Sequence, residues 1–134
     1  MSDWNVQVSM EVLLRAESVH ARLRYANLGE VIALLYKPHI PEPLTTAANL
    51  FKIESGGLRC RYTGLKVKRP EPTVDDFLPL SPGEVLLREI SLTSQYQFLP
   101  QPAVYVVQYS AYHSPPNGSL VLLQSSPVEF TWPS

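Results

Sequence analysis

At 134 residues the chain has the length of one domain, residues 1–134, and enough apolar side chains to bury a two-layer core without help from a metal or a disulfide. Eleven basic residues against twelve acidic ones leave a formal charge of −1, which excludes the strong positive excess that a nucleic-acid or anionic-membrane partner requires. A single cysteine, Cys60, rules out an intrachain disulfide and reads as a buried, inert thiol.

The first residues, Met1 to Gln7, have no basic start followed by an apolar run and no small-residue cleavage site, so they do not read as a secretory signal. Nor does any apolar stretch reach the roughly 18 residues needed to cross a bilayer. With the lone cysteine, this leads us to expect a cytoplasmic protein.

Between Trp4 and Leu14, Trp4, Val6, Val8, Met10 and Val12 alternate with polar residues, a period of two that turns one face of a strand inward. Val19, Ala21, Leu23 and Tyr25 repeat the pattern against His20, Arg22 and Arg24, and Asn27 to Glu30 closes it as a tight connection. Val31 to Tyr36 is continuously apolar, as in a strand covered on both faces. Lys37 to Asn49 carries Pro38, Pro41 and Pro43 and reads as an extended loop, because each proline pushes its predecessor out of the helical region.

Phe51 to Glu54 is a short strand, Ser55-Gly56-Gly57 a hairpin turn, and Leu58 to Lys68 the returning strand, with an irregularity expected at Gly64. Arg69 to Pro82 reads as the longest loop, and Ser81-Pro82-Gly83-Glu84 as a type II turn opening a strand from Val85 to Leu92. Ser94 to Pro100 contributes Tyr96 and Phe98. Val104 to Tyr112 is the most β-prone segment, with Tyr105, Val107, Tyr109 and Ala111 on one face. Ser114 to Gly118 makes a hairpin turn around Asn117-Gly118, and Leu120–Leu123 with Val128–Trp132 forms a last, edge strand interrupted at Pro127. The sum is an all-β chain, an immunoglobulin-like antiparallel β-sandwich of about seven or eight strands. In such a sandwich the Asn27–Glu30, Arg69–Ser81 and His113–Gly118 connections fall at one end, the candidate binding edge.

Motifs of catalysis are missing. The chain has no HExxH, CxxC or GxSxG motif, no glycine-rich phosphate loop and no EF-hand loop. His20, His39 and His113 are scattered, so neither a metal site nor a cofactor is expected, and no nucleophile, base and orienting group converge to suggest an enzyme. Four features remain as candidates for partner contact: the basic stripe Lys66, Lys68 and Arg69, the acid pair Asp75 and Asp76, Tyr112 with His113 at the expected hairpin tip, and Asn117 in the turn itself. The blander readings are solvated charges for the first two and packing against Pro115 or Pro116 for the third.

Leu23-Arg24-Tyr25-Ala26-Asn27-Leu28-Gly29-Glu30, Phe51-Lys52-Ile53, Tyr62-Thr63-Gly64-Leu65-Lys66-Val67-Lys68, Leu80-Ser81-Pro82-Gly83-Glu84, Ile90-Ser91-Leu92, Tyr96-Gln97-Phe98 and Tyr105-Val106-Val107-Gln108-Tyr109 occur in order along residues 5–112. In order and spacing they resemble the non-catalytic β domain that precedes the zinc domain of peptidyl-Lys metalloendopeptidases, relatives of deuterolysin. That resemblance implies a module that covers or chaperones such a protease. The chain shows no secretion signal and reaches Ser134 without a zinc-binding helix, so the expectation is a stand-alone inhibitor or immunity-type protein, not a protease. Its partner is then a zinc metalloendopeptidase: Lys66, Lys68 or Arg69 would mimic the substrate's basic side chain, and Asp75, Asp76 or His113 would approach the partner's zinc. The alternatives are an adaptor or secretion chaperone that binds by strand addition at the last strand, and a carbohydrate-binding sandwich, for which exposed aromatic residues are too few.

Overall fold

The structure, a computed structural model, describes residues 4–42, 46, 48–65, 73–113 and 120–133. Among these residues it is all-β and antiparallel, with ten strands: β1 (Val6–Leu14), β2 (Val19–Asn27), β3 (Ala33–Tyr36), β4 (Phe51–Ser55), β5 (Leu58–Arg59), β6 (Phe77–Leu80), β7 (Val85–Ser91), β8 (Ala103–His113), β9 (Val121–Gln124) and β10 (Val128–Trp132). One sheet has the order β1-β2-β7 and the other β10-β8-β4-β5, with β9 also on β8; β3 and β6 form a separate two-stranded ribbon.

Period-two alternation decides which side of each sheet faces in. Val19, Ala21, Leu23 and Tyr25 of β2 have no exposed surface, and neither do Tyr105, Val107 and Tyr109 of β8, so the two central strands face one another across a single core. Tyr25 and Tyr109 meet edge to face between the sheets, with ring centroids 5.7 Å apart, the arrangement that aligns a ring's positive edge with its neighbour's negative face. On the outer face of the first sheet, Glu89 takes Arg15 and Arg22 at 3.2 Å and His20 at 3.3 Å, while Arg22 reaches Glu11 at 3.4 Å. Partial burial alone would raise the Glu89 carboxyl; its hydrogen bonds and charge contacts with the two guanidiniums outweigh that and hold it below the usual range.

Several expected elements are confirmed and others change. Gly56 and Gly57 have positive φ in the β4–β5 turn, and Gly83 takes φ 83° in the Ser81–Glu84 turn, where the Glu84 N–H donates to the Ser81 carbonyl at 2.9 Å. The Ser81 N–H returns a bond to the Glu84 carboxylate, which lowers the pKa of that acid.

The strand expected from Leu58 to Lys68 is cut short at Arg59. Beyond it the chain leaves β4 and runs beside residues 95–97, with a bridge between Tyr62 and Tyr96, because Tyr62 buries its ring against Tyr96. The loop expected from Arg69 to Pro82 contains a strand after all: Phe77 and Leu80 bury their side chains while β6 pairs with β3, and Pro79 is tolerated on this short ribbon. The extended loop after Tyr36 begins with a single 3₁₀ turn, Lys37–His39. The last strand is two strands in tandem along β8, and β1 lies alongside both, with the Trp132 indole N–H donating to the Arg15 carbonyl at 3.4 Å. The strand-addition edge suggested by the sequence is therefore flanked by β1. The 114–118 hairpin turn lies outside the described residues.

Candidate functional site

The β3–β6 ribbon ties together one end of the molecule. At the end of β2, Asn27 is buried, and its Nδ2 donates to the Val31 and Leu80 carbonyls, both at 2.8 Å, while its Oδ1 accepts the Gly29 N–H at 2.9 Å. One side chain thus fastens the connection after β2 to the end of β6, two of the three loops expected to share an end.

The third is reached through His113. Its inward position follows from the alternation of β8: Tyr105, Val107, Tyr109, Ala111 and His113 share the core face. The Tyr36 N–H donates to His113 Nδ1 at 2.9 Å, so the neutral ring carries its proton on Nε2, which faces the Tyr109 hydroxyl at 3.1 Å. The Tyr109 hydroxyl in turn donates to the His39 carbonyl at 2.6 Å. Burial, aided by the neighbouring His39, pushes the His113 pKa down to about 3, and burial drives the Tyr109 and Tyr25 hydroxyls upward.

His39 stacks edge-on against Tyr36, centroids 4.9 Å apart, and its Nδ1–H donates to the Tyr112 carbonyl. Tyr36 also packs on Phe77 at 5.7 Å. Above this scaffold Tyr112 turns outward, 54% exposed, directly opposite Leu122 of β9, which is 41% exposed, and near the exposed Leu120 in chain order. The backbone of Tyr112 is held by the ladder and by His39, so the ring is presented from a fixed platform.

The candidates named from sequence are therefore sorted. Tyr112 is exposed and fixed. His113 is not at a hairpin tip but fully buried with both ring nitrogens engaged, because β8 runs one residue further than expected; it cannot approach a partner's zinc from there. Asp76 closes a capping box on the 3₁₀ turn Val74–Asp76, accepting the Thr73 N–H at 2.8 Å, while Asp75 faces solvent beside it. Lys66, Lys68, Arg69 and Asn117 lie outside the described residues.

His20 is half-buried, bonded to Ser18 at 2.9 Å and facing Glu89. Cys60 is half-buried, and burial raises its thiol pKa. Among the described residues no group of three or more His, Cys, Asp or Glu side chains is placed to hold a metal ion, and no helix is long and apolar enough to cross a membrane. The polar chain from Tyr36 through His113 and Tyr109 to His39 was not anticipated; continuing the β8 alternation one residue past Tyr112 would have placed His113 in it.

No protein-family model matches the chain, and no curated protein matches it.

Proposed function

We propose that this domain is an immunoglobulin-like sandwich that acts as a protein-binding module, not an enzyme, and that it blocks a lysine-specific zinc metalloprotease in trans. The strand orders support the fold reading: β1-β2-β7 corresponds to an A-B-E sheet and β10-β8-β4-β5 to a G-F-C sheet with a short additional strand. The β3–β6 ribbon is an elaboration on that plan.

The observation that carries the binding role is the rigid presentation of Tyr112 beside Leu122. An exposed aromatic on a preorganised backbone gives up little entropy on docking, and such residues dominate interface energetics. The choice of partner rests on the resemblance carried by Tyr62 to Lys68 and Leu80 to Glu84. In that reading Lys66, Lys68 and Arg69 offer a basic side chain to the protease's acidic specificity pocket, and Asp75 and Asp76 lie toward its zinc.

Titrating the purified protein into a lysine-specific metalloendopeptidase while following cleavage of a fluorogenic lysyl peptide tests this directly. Activity should fall to the baseline near a one-to-one ratio. Full activity at large excess over a cognate enzyme removes the inhibitor reading. The second reading is a non-inhibitory adaptor or chaperone using the same Tyr112 surface; it binds zinc-loaded and zinc-free partner equally, whereas an inhibitor that approaches the zinc does not.

A further inference from the structure

A cleft of about 280 Å³ opens beside the β4–β5 turn, where the chain changes partners. β5 pairs with β4 only through Leu58 and Arg59. The Cys60 N–H still donates to the Ile53 carbonyl at 2.7 Å, but the Arg61 carbonyl takes the Gln97 N–H at 2.8 Å and the Thr63 N–H turns to the Gln95 carbonyl at 2.8 Å. Residues 58–61 and 97–100 line the cleft that accompanies this switch.

Its apolar lining comes from Leu58, Phe98 and Leu99. Phe98 is immobilised from behind by Tyr105, Phe130 and Trp132, with ring centroids at 4.8, 6.5 and 5.7 Å. Leu58 is 75% exposed and Leu99 40% exposed, so both keep apolar surface in water.

The polar lining has one sign of charge. Among the described residues, Arg59 and Arg61 line the cleft and no acidic residue does. Among the described residues, Arg59 has one long acidic contact, Glu54 at 3.8 Å between two exposed side chains, and no acid pairs with Arg61. Such an exposed pair holds Arg59 weakly. The Cys60 thiol, its pKa raised by burial, stays neutral and so does not repel an anion.

We propose that this cleft binds a small amphipathic carboxylate, the tail packed on Leu58, Phe98 and Leu99 and the carboxylate paired with Arg61, with Arg59 in support. Guanidinium and carboxylate match in planar geometry, and the apolar lining rewards a tail that acetate lacks. The volume suits a ligand the size of octanoate. At about 0.3 kcal/mol for each of its heavy atoms, the dissociation constant falls in the millimolar range.

The test is a titration of the ¹⁵N-labelled full chain with octanoate below its micellar concentration, read by amide chemical shifts. Saturable shifts confined to the amides of residues 58–61 and 97–99 are expected, with affinity reduced about tenfold for 1-octanol, for acetate and for the Arg61→Glu protein. Because Arg61 is exposed, the rest of that variant's spectrum should be unchanged, and Arg61→Gln provides a second, milder variant. Equal affinity for octanol or acetate, indifference to both substitutions, or shifts that grow linearly without saturating would each overturn the proposal.

Discussion

The backbone N–H of Tyr36 donates to His113 Nδ1 at 2.9 Å, in a buried site whose desolvation, aided by His39, keeps the ring neutral. Protonating Nδ1 would set two hydrogens against each other in a dry site that His39 already faces.

The folded-state pKa of His113, about 3, lies below the ordinary 6.5, so between those values the unfolded chain binds the proton and the folded one does not. The stability contributed by neutral His113 is thus fully present above pH 6.5 and is lost as pH falls toward 3, on the order of 4 kcal/mol across the window. Urea midpoints measured from pH 7 to pH 4 should decline in the native chain and decline less in His113→Gln. Parallel slopes would show that other groups carry the acid sensitivity.

Replacing Asn27 by Ala strands the Val31 and Leu80 carbonyls and the Gly29 N–H together. A loss of about 1–3 kcal/mol is expected, since the buried Leu80 carbonyl is left unmatched and the part-buried Val31 carbonyl and Gly29 N–H are matched only as far as water reaches them. Chemical denaturation reads it, and Asn27→Asp should be no better, because it has no N–H to offer either carbonyl.

A methyl group at Gly64 would meet the Tyr62 ring and hydroxyl at 2.7 Å and press on the Gln95 side-chain oxygen. Both neighbours are buried, so Gly64→Ala should cost about 1–3 kcal/mol as overpacking, without any backbone strain. At Gly56 the added methyl meets open space, and the cost of Gly56→Ala comes from its φ of 59° alone, roughly 1 kcal/mol. Thermal melts of the two proteins should rank in that order.

Arg88 occupies a core-facing position of β7 between Leu86 and Ile90, at the edge of its sheet, and its Nη1 bonds the Leu87 carbonyl at 3.0 Å while its Nε is buried without a partner among the described residues. An inward charge on an edge strand opposes pairing with another chain. Arg88→Leu should therefore leave stability equal or raise it, yet increase self-association, visible as a concentration-dependent rise in mass by light scattering. A strictly monodisperse variant would remove this role from Arg88.

Tyr112→Ala removes the fixed aromatic from the proposed interface and nothing from the core. If the proposed inhibition of a lysine-specific metalloprotease holds, it should weaken by about 2 kcal/mol or more, about 30-fold, with unfolding unchanged within about 0.5 kcal/mol. Charge reversal of Lys66, Lys68 and Arg69 is expected to weaken it independently, and full inhibition by that triple variant would take the basic stripe out of the interface.

The all-β character, the inward faces of β1, β2 and β8, and the glycine turns at Gly56-Gly57 and Gly83 were legible from the residues alone, because alternation and turn chemistry act over two to four residues. Tertiary structure decided what local pattern leaves degenerate. Phe77-Leu78-Pro79-Leu80 has the proline of a loop, and only the partner β3 makes it a strand. Leu58 to Lys68 has the pattern of one long strand, and only the Tyr62–Tyr96 contact diverts it.

His113 looks like a loop residue beside a Pro-Pro turn until Tyr36 and Tyr109, 77 and 4 positions away in the chain, supply its two hydrogen bonds. Its burial is a property of those three residues together. The β8 alternation puts His113 on the inward face, but how completely it is desolvated, and which groups satisfy its two nitrogens, depends on what the rest of the chain folds over it.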